Sequence, residues 1–251
     1  MTEPLLATDG LGKRFGGLTA VAGLSITVAM GEIHVVIGPN GAGKSSLINM
    51  LSGDLRPSDG AIRFDGRDIT GLDADRISRL GIGRSYQKTN IFREFTAFEN
   101  ARLAAQSRLP SSLRFLRPAS RVIPAIRKAQ AALEAVGLDG RANAVAATLS
   151  HGEQRQLEIA MVLATEPRLL LLDEPLAGMG AEESARMVPL LRRLGRTHAV
   201  VLVEHDLDAV FQLADRMTVM VNGRLLETGT PAQIRNSPAV QSAYLGVDGH
   251  D

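Results

Sequence analysis

The chain contains no cysteine among its 251 residues. Disulfides, thiolate catalysis and cysteine-ligated zinc are therefore excluded, and the composition is compatible with a reducing compartment. An excess of charge of one sign is also missing, because 28 basic residues stand against 27 acidic ones and the formal net charge is +1. A nearly neutral balance gives no global footprint for nucleic acid, so we expect no nucleic-acid partner.

Long apolar stretches are absent as well. The longest apolar runs, of which residues 169–172 are an example, are far too short to cross a bilayer. The N-terminus has no basic start followed by an apolar region, so we expect no signal peptide. Together these features predict a protein kept in the cytosol, which reaches a membrane only through a partner.

A glycine-rich turn follows the apolar residues 35–37 and ends in Lys44 and Ser45. Glycines let the backbone bend tightly and aim successive N–H groups at an anion, while the lysine supplies a charge and the serine offers a hydroxyl to Mg²⁺. Residues 46–51 continue as a helix whose N-terminus faces the same anion. The pattern predicts a phosphate-binding loop for a nucleotide, formed by Gly38, Pro39, Asn40, Gly41, Ala42, Gly43, Lys44, Ser45 and Ser46.

Hydrophobic periodicity predicts an α/β chain around this loop. Residues 169–172 and 199–203 are continuous apolar runs, which are typical of parallel strands buried on both faces. Residues 24–28 alternate with period two and predict one strand of an antiparallel lead-in sheet, and residues 82–87 predict another strand. An Asn-Gly pair inside residues 216–229 predicts a hairpin.

Between these α/β segments the composition changes to alanine, arginine and leucine. Helical spacing is found at residues 97–105 and again at 124–136. We therefore expect an inserted helical subdomain.

Polar residues follow three of the buried strands: the phosphate loop comes after Ile37, an Asp-Glu pair after residues 169–172, and a histidine after residues 199–203. In an open parallel sheet the ligand lies at the carboxyl ends of the strands. The three groups are therefore expected to converge on one bound nucleotide.

Each of these polar residues has a chemical role that it can fill at such a site. Asp173 can hold Mg²⁺ together with Ser45, Glu174 can polarise the attacking water, and His205 can contact the γ-phosphate. Gln87, at another strand end, can reach Mg²⁺ or the water through its neutral amide. Taken singly, an Asp-Glu pair is often only a cap and a histidine often satisfies a core hydrogen bond, so both alternatives stay open.

A second anion site is predicted at residues 149–154. Ser150 is expected to cap a helix, and Gly152 lets a phosphate approach the backbone N–H groups at its start. One chain would then carry two half-sites for phosphate, which a head-to-tail dimer with twofold symmetry would join into two composite sites. Phe15, upstream of the phosphate loop, either stacks on a base or is a core residue.

The order of these motifs resembles that of the nucleotide-binding subunit of ATP-binding cassette (ABC) transporters, and the resemblance covers essentially the whole chain. It implies an α/β P-loop NTPase fold with a RecA-like core, an antiparallel β-subdomain and an inserted α-helical subdomain. It also implies one cassette over residues 1–251, in which 5–96 and 160–251 form the β-subdomain and core, and 97–159 form the helical subdomain with the signature motif.

The resemblance implies a role for each matching residue, with ATP and Mg²⁺ as the bound groups. The catalytic residues it implies are Glu174 as base, His205 as switch and Gln87 as lever to the membrane subunit. The metal-binding residues are Ser45, Gln87 and Asp173. The ATP contacts are the phosphate loop, Phe15 on adenine, and Ser150, Gly152 and Glu153 across the dimer.

Several segments are similar to the ATPases of branched-chain amino acid importers, namely residues 14–18, the insertion after Asn100, and residues 157–160, 203–206 and 243–246. This similarity implies membrane permease subunits, a second identical or paralogous ATP-binding subunit, an indirectly associated solute-binding protein, and a peripheral position on the cytoplasmic face of the plasma (inner) membrane. Residues 89–98 are expected to contact the permease. The alternatives are the ATPase of a urea or amide importer or of an exporter, or a non-transport ABC ATPase.

Two positions depart from the usual pattern of this family. His151 stands in the signature motif where glycine is usual, and its side chain is either an obstacle or an additional donor for the γ-phosphate. Gly180 stands where the family often has Asp or Asn. A polar contact across the dimer would then be missing, which predicts weaker coupling between the two ATP sites.

Overall fold

The computed structural model describes residues 3–86, 90–108 and 122–245. Within these ranges the strands are β1 (Leu6–Phe15), β2 (Leu18–Leu24), β3 (Thr27–Val28), β4 (Ile33–Ile37), β5 (Asp59–Phe64), β6 (Arg67–Asp68), β7 (Ile82–Arg84), β8 (Leu169–Asp173), β9 (Ala199–Val203), β10 (Arg216–Val221) and β11 (Arg224–Gly229). The α-helices are α1 (Lys44–Ser52), α2 (Ala74–Arg79), α3 (Ala97–Gln106), α4 (Ile123–Val136), α5 (His151–Leu163), α6 (Ala181–Gly195), α7 (Leu207–Leu213), α8 (Pro231–Arg235) and α9 (Pro238–Leu245).

The central sheet has the strand order β11-β10-β4-β9-β8-β7, and every neighbouring pair from β10 to β7 is parallel. Strands β4, β8 and β9 are buried along their whole length, as the continuous apolar runs predicted. The predicted hairpin is also confirmed: β10 and β11 are antiparallel, and Asn222 and Gly223 take positive φ at their turn. The carboxyl ends of the parallel strands therefore lie along one edge of this sheet.

A second, antiparallel sheet has the order β2-β1-β5-β6, with β3 also paired to β1. The single strand predicted at residues 24–28 is wrong, because β2 ends at Leu24 and the chain resumes pairing only in β3. The reason is Thr8, whose hydroxyl donates to Leu24 O (3.1 Å) and accepts from Ile26 N–H (2.9 Å). These side-chain bonds replace strand pairing at the bend.

The helical segment consists of α3, α4 and the first part of α5, which pack against one another. Small side chains allow the close approach, and the buried alanines include Ala101, Ala105, Ala125, Ala129 and Ala132. Helix α5 continues past residue 159 to Leu163, so the predicted limit of the helical subdomain falls inside a helix. The division into 97–159 and its flanks stays a prediction.

The buried side chains form two clusters on opposite faces of the central sheet. One cluster joins α1 and the antiparallel sheet to the core strands, and the other joins the sheet to α3–α6. Helix α1 is thus held between the two sheets, which fixes the loop before it. Among the described residues, no helix is both long and apolar enough to span a membrane.

Candidate active site

The loop between β4 and α1 depends on two glycines for its shape. Gly38 has φ 154°, and a Cβ on it would lie 2.1 Å from the carbonyl oxygen of Met220. Gly43 has φ 97°, and a Cβ there would lie 2.4 Å from Ala20 O. A side chain at either position would collide with backbone, so glycine is required. Gly41 also has positive φ, 78°, but with open space around its Cβ position.

Lys44 begins α1 with a buried side chain that bends back over the loop. Its Nζ donates to the carbonyl oxygens of Gly38 (2.7 Å) and Pro39 (3.0 Å). Burial lowers the pKa of Lys44, and the nearby carboxylates of Asp173 and Glu174 act in the opposite direction. The lysine charge is thus held at the phosphate loop and faces the two acidic residues at the end of β8.

Asp173 closes β8 and has a buried side chain. Burial raises the pKa of its carboxyl, while Arg84, whose guanidinium lies 3.8 Å away, acts to lower it. The Oδ1 atom is buried and has no hydrogen-bond partner among the described residues. A buried acceptor with an open lone pair is suited to a cation or to a water that a cation holds.

Glu174 and His205 are brought into direct contact by the ends of β8 and β9. Glu174 Oε1 lies 2.7 Å from His205 Nε2, and the side chains are 13% and 47% exposed. Glu174 has φ 51°, an uncommon conformation for a residue with a side chain, and its N–H donates to Val203 O at 2.9 Å. Glu174, predicted to polarise the attacking water, and His205, predicted to contact the γ-phosphate, therefore form one unit that is partly open to solvent.

Glu204 was not predicted from the sequence, although it holds this unit together. It is buried, and its carboxylate accepts from the N–H of Leu176 (2.7 Å) and from the N–H of His205 (3.1 Å). Burial raises the pKa of Glu204, whereas these two hydrogen bonds act to lower it. The available signal was an acidic residue directly after five apolar ones, a position where a charge needs a partner.

Ser150 and Gly152 lie at the start of α5. Ser150 caps the helix as predicted: its hydroxyl accepts from Glu153 N–H, and the Glu153 carboxylate accepts from Ser150 N–H. Ser150 Oγ and Gly152 N–H both donate to the carboxylate of Glu183. His151 Nε2 lies 3.2 Å from Ala177 O. The signature residues thus contact the segment that follows the Asp-Glu pair.

Two further predicted site residues are Phe15 and Gln87. Phe15 ends β1 with a ring that is 49% exposed, and Lys13 Nζ lies 5.1 Å from its centroid. An exposed face is available to a base, and adenine stacking stays a prediction. Gln87 lies outside the described residues.

A buried ion pair on α5 was also missed by sequence reasoning. Arg155 NH1 donates to Glu158 (2.9 Å) and to the carbonyl oxygen of Tyr86 (2.9 Å), while Glu158 accepts from Tyr86 N–H (3.0 Å). Arg84 likewise joins Asp54 (2.6 Å) near Asp173. Arg155 and Glu158 are only three residues apart on α5, but their contacts with Tyr86 and the contact between Arg84 and Asp54 join residues about 30 to 70 positions apart, which no local pattern indicates.

Lys44, Asp173, Glu174 and His205 therefore meet at the carboxyl edge of a parallel sheet beside a glycine-rich anion loop. Residues 21–177 match the family model described as "ABC transporter". The chain belongs to the ABC transporter family, and its fold is that of an ATP-binding cassette.

Within the family, residues 224–250 match a model described as "Branched-chain amino acid ATP-binding cassette transporter". The chain is 42% identical to the high-affinity branched-chain amino acid transport ATP-binding protein BraF of Pseudomonas aeruginosa, over 98% of this chain and 99% of BraF. It is 40% identical to the corresponding protein LivG of Escherichia coli, over the same shares.

Solved structures agree with this assignment. A nucleotide-free ATP-binding cassette from an ABC transporter is 30% identical and has a TM-score of 0.86, with 96% of this chain and 99% of that chain covered. The ADP conformation of the cassette MJ1267 gives the same identity and TM-score over 98% and 100% of the two chains.

Proposed function

We propose that this ATPase powers a membrane importer of branched-chain or related amino acids, by binding and hydrolysing ATP between two cassettes. The observation that carries the proposal is the Glu174–His205 contact beside Asp173 and Lys44, at the edge of the sheet that bears the phosphate loop. The solute class is supported by the names of relatives that are 40–42% identical over nearly the full chain.

The chemistry assigned to the site is attack of a water on the γ-phosphorus. The loop N–H groups and Lys44 bind the phosphate oxygens, and Glu174 accepts the proton of the attacking water. The bond between the γ-phosphorus and the β–γ bridging oxygen breaks, which leaves ADP and inorganic phosphate. His205, which contacts the Glu174 carboxylate, is assigned to hold that carboxylate and to contact the γ-phosphate.

Mg²⁺ fits the residues that the sequence assigned to it. Asp173 offers a buried oxygen that no residue in the described part of the chain hydrogen-bonds, and Ser45, an exposed residue, offers a hydroxyl on the first turn of α1. Among the described residues, no group of three or more His, Cys, Asp or Glu forms a metal-binding cluster. Phosphate oxygens and waters would complete the shell of the ion, as is usual for Mg²⁺, which when bound neutralises phosphate charge.

The second half of each ATP site is assigned to the partner cassette, identical or paralogous. Ser150 Oγ, on an exposed residue, and the N–H of Gly152, a buried residue, are the donors at the start of α5 that we assign to this anion. The Glu153 carboxylate is engaged with Ser150 N–H and lies 3.4 Å from Arg141. Glu153 therefore supports the cap, and we assign it an indirect role in ATP binding.

Contact with the membrane subunits is assigned to the part of residues 89–98 that the structure describes. Phe92 and Phe95 stack with centroids 5.4 Å apart and are 50% and 43% exposed. An exposed aromatic pair is suited to a protein partner. The Arg155–Glu158 pair links the adjacent Tyr86 backbone to α5, so movement at this surface would be transmitted to the signature helix. A peripheral position on the cytoplasmic membrane face follows from such an assembly.

Glu174→Gln tests the catalytic part of the proposal. General-base catalysis contributes about 10²–10⁴-fold, so the variant should lose at least about 100-fold in ATP turnover and accumulate as an ATP-bound dimer. Turnover is measured by phosphate release and dimer formation by size-exclusion chromatography, with exposed Glu182→Gln as the matched control. Substantial turnover in monomeric Glu174→Gln would contradict the role of Glu174 and the dimeric mechanism.

Uptake in cells tests the transport part separately. Cells that carry only Glu174→Gln should lose accumulation of labelled leucine, isoleucine or valine, whereas cells with Glu182→Gln should retain it. Equal uptake with both variants, despite lost ATP turnover in vitro, would contradict the assigned solute class and leave the ATPase assignment intact.

A further inference from the structure

The carboxylate of Glu183 lies over the start of the signature helix. Its Oε1 accepts from Ser150 Oγ at 3.1 Å and from the N–H of Gly152 at 3.0 Å. A Cβ on Gly152 would lie 2.8 Å from the same oxygen, so the carboxylate packs directly against the glycine. One oxygen of this chain thus engages the hydroxyl and the N–H group that the proposed function assigns to a phosphate.

A phosphate and this carboxylate would compete for the same place. Both are anions, and two of the donors that Glu183 uses, Ser150 Oγ and Gly152 N–H, are those available to an oxygen arriving at this helix end, while the third is the backbone of Gly180 in its own segment. The hydrogen bond from Gly152, followed by that from Ser150, lowers the pKa of Glu183, so the carboxylate is ionised near neutral pH. Leaving it in place beside a γ-phosphate would bring like charges together.

We propose that Glu183 is an internal competitor of ATP at the signature half-site, an autoinhibitory contact that must open before two cassettes close on a nucleotide. The inference rests on the proposed function, because it takes Ser150 and Gly152 as contacts of ATP bound to the partner. Glu183 lies in the first turn of α6, and its side chain is partly exposed. It can therefore rotate into solvent without unfolding the helix.

His151 makes a second contact between the start of α5 and the segment that carries Glu183. Its Nε2 lies 3.2 Å from Ala177 O and 3.1 Å from the Cβ position of Gly178. The start of α5 is thus joined to residues 177–183 at two points, one polar contact through His151 and one carboxylate contact through Glu183. Closure of the dimer requires that the Glu183 contact break. A higher ATP concentration is therefore needed for closure than without this contact.

Glu183→Gln in the Glu174→Gln background tests the inference. The amide keeps the size of the side chain and removes its charge, so ATP should compete with a weaker internal ligand. At a fixed protein concentration, the ATP concentration at half-maximal dimer formation should fall about three- to tenfold, a range set by one solvent-screened, charge-assisted contact. The readout is analytical ultracentrifugation over an ATP titration.

Glu182→Gln in the same background is the matched control. It removes an equal charge from the same helical turn, at a side chain that is 91% exposed and pairs only loosely with Arg186 at 3.6 Å. Its ATP requirement for dimer formation should remain that of Glu174→Gln. Should Glu183→Gln fail to fold, Glu183→Asp withdraws the carboxylate from the helix start and is expected to lower the ATP requirement by a smaller factor.

The outcomes separate this inference from the proposed function. An unchanged or higher ATP requirement in Glu183→Gln, with dimers still forming in Glu174→Gln, would overturn the competitor role alone. Folded variants that bind ATP and never dimerise would overturn the composite site and the inference with it. A lower requirement in Glu183→Gln but not in Glu182→Gln supports both.

Discussion

The phosphate loop and the half-site that we propose at the signature helix are built on opposite principles. The phosphate loop follows a fully buried strand and is closed against the turn of the β10–β11 hairpin, where Gly223 N–H donates to Ala42 O at 3.1 Å. The signature end is a helix start at which the exposed Ser150 and the buried Gly152 both donate to the side chain of Glu183. The first half-site is preorganised by the core, whereas the second is held by a contact that a ligand can displace.

Alanine substitutions at one glycine in each half-site should expose this difference most strongly. Gly38→Ala places a Cβ 2.1 Å from backbone at φ 154°, so we expect a loss of about 3–5 kcal/mol in unfolding free energy and of ATP binding. Gly152→Ala meets only the mobile end of Glu183, so we expect a change in unfolding free energy below about 1 kcal/mol, but no ATP-dependent dimer.

Chemical denaturation and fluorescent-nucleotide binding check both variants. Gly41→Ala is the control within the loop, because its φ is also positive, 78°, while its Cβ position is open. The unfolding free energy of Gly41→Ala should fall only by the cost of the strained backbone conformation, about 1–3 kcal/mol. A Gly38→Ala protein as stable as Gly41→Ala would contradict the view that the core fixes this loop.

Glu204→Gln should have the next largest effect, because buried Glu204 hydrogen-bonds the backbone next to Glu174 and His205, the pair that we propose to be catalytic. A glutamine can accept from only one of the two N–H groups of Leu176 and His205, and its own NH₂ then faces the other. We expect a loss of about 1–3 kcal/mol in unfolding free energy and a lower rate of ATP turnover, with Glu182→Gln as control.

The pH dependence of this loss has a defined sign. The pKa of Glu204 is raised in the folded protein, so its stabilising contribution is complete below the pKa of the unfolded chain and declines as pH rises through the folded value. Glutamine does not titrate. The stability deficit of Glu204→Gln should therefore be larger at pH 5 than at pH 8, and a deficit that grows with pH would contradict the raised pKa.

The preorganised half-site was largely visible in the sequence. Continuous apolar runs gave the buried strands β8 and β9, and the glycine spacing gave the loop, because both depend on neighbours along the chain. The Ser150 cap was predictable for the same reason. Local sequence patterns predict the structure well where the buried core permits few alternative backbone conformations.

The contacts that regulate and support the site were not visible in this way. Glu183 lies 33 residues from Ser150, and Glu204 lies 28 residues from Leu176, so only the folded chain brings them together. The strand at residues 24–28 was predicted wrongly for a similar reason, since Thr8 interrupts it from 16 residues away. In all three places a polar contact between residues distant in the sequence decides the structure, and at Thr8 it overrides the local periodicity.

Substitutions at Gly180 should have the smallest effects, and comparing them separates two possible causes of a change in coupling between the two ATP sites. Gly180 is the N-cap of α6 with φ −71° and ψ 165°, and its Cβ position has nothing within 4 Å, so Gly180→Asp fits without strain and gains a few tenths of a kcal/mol as a cap. If a polar contact across the dimer is missing at Gly180, Gly180→Asp and Gly180→Asn should both raise the Hill coefficient of ATP hydrolysis. Gly180→Ala should not raise it. A rise with Gly180→Asp alone would instead indicate repulsion of the nearby Glu183 carboxylate, and unchanged cooperativity in all three would show that this position does not couple the two sites.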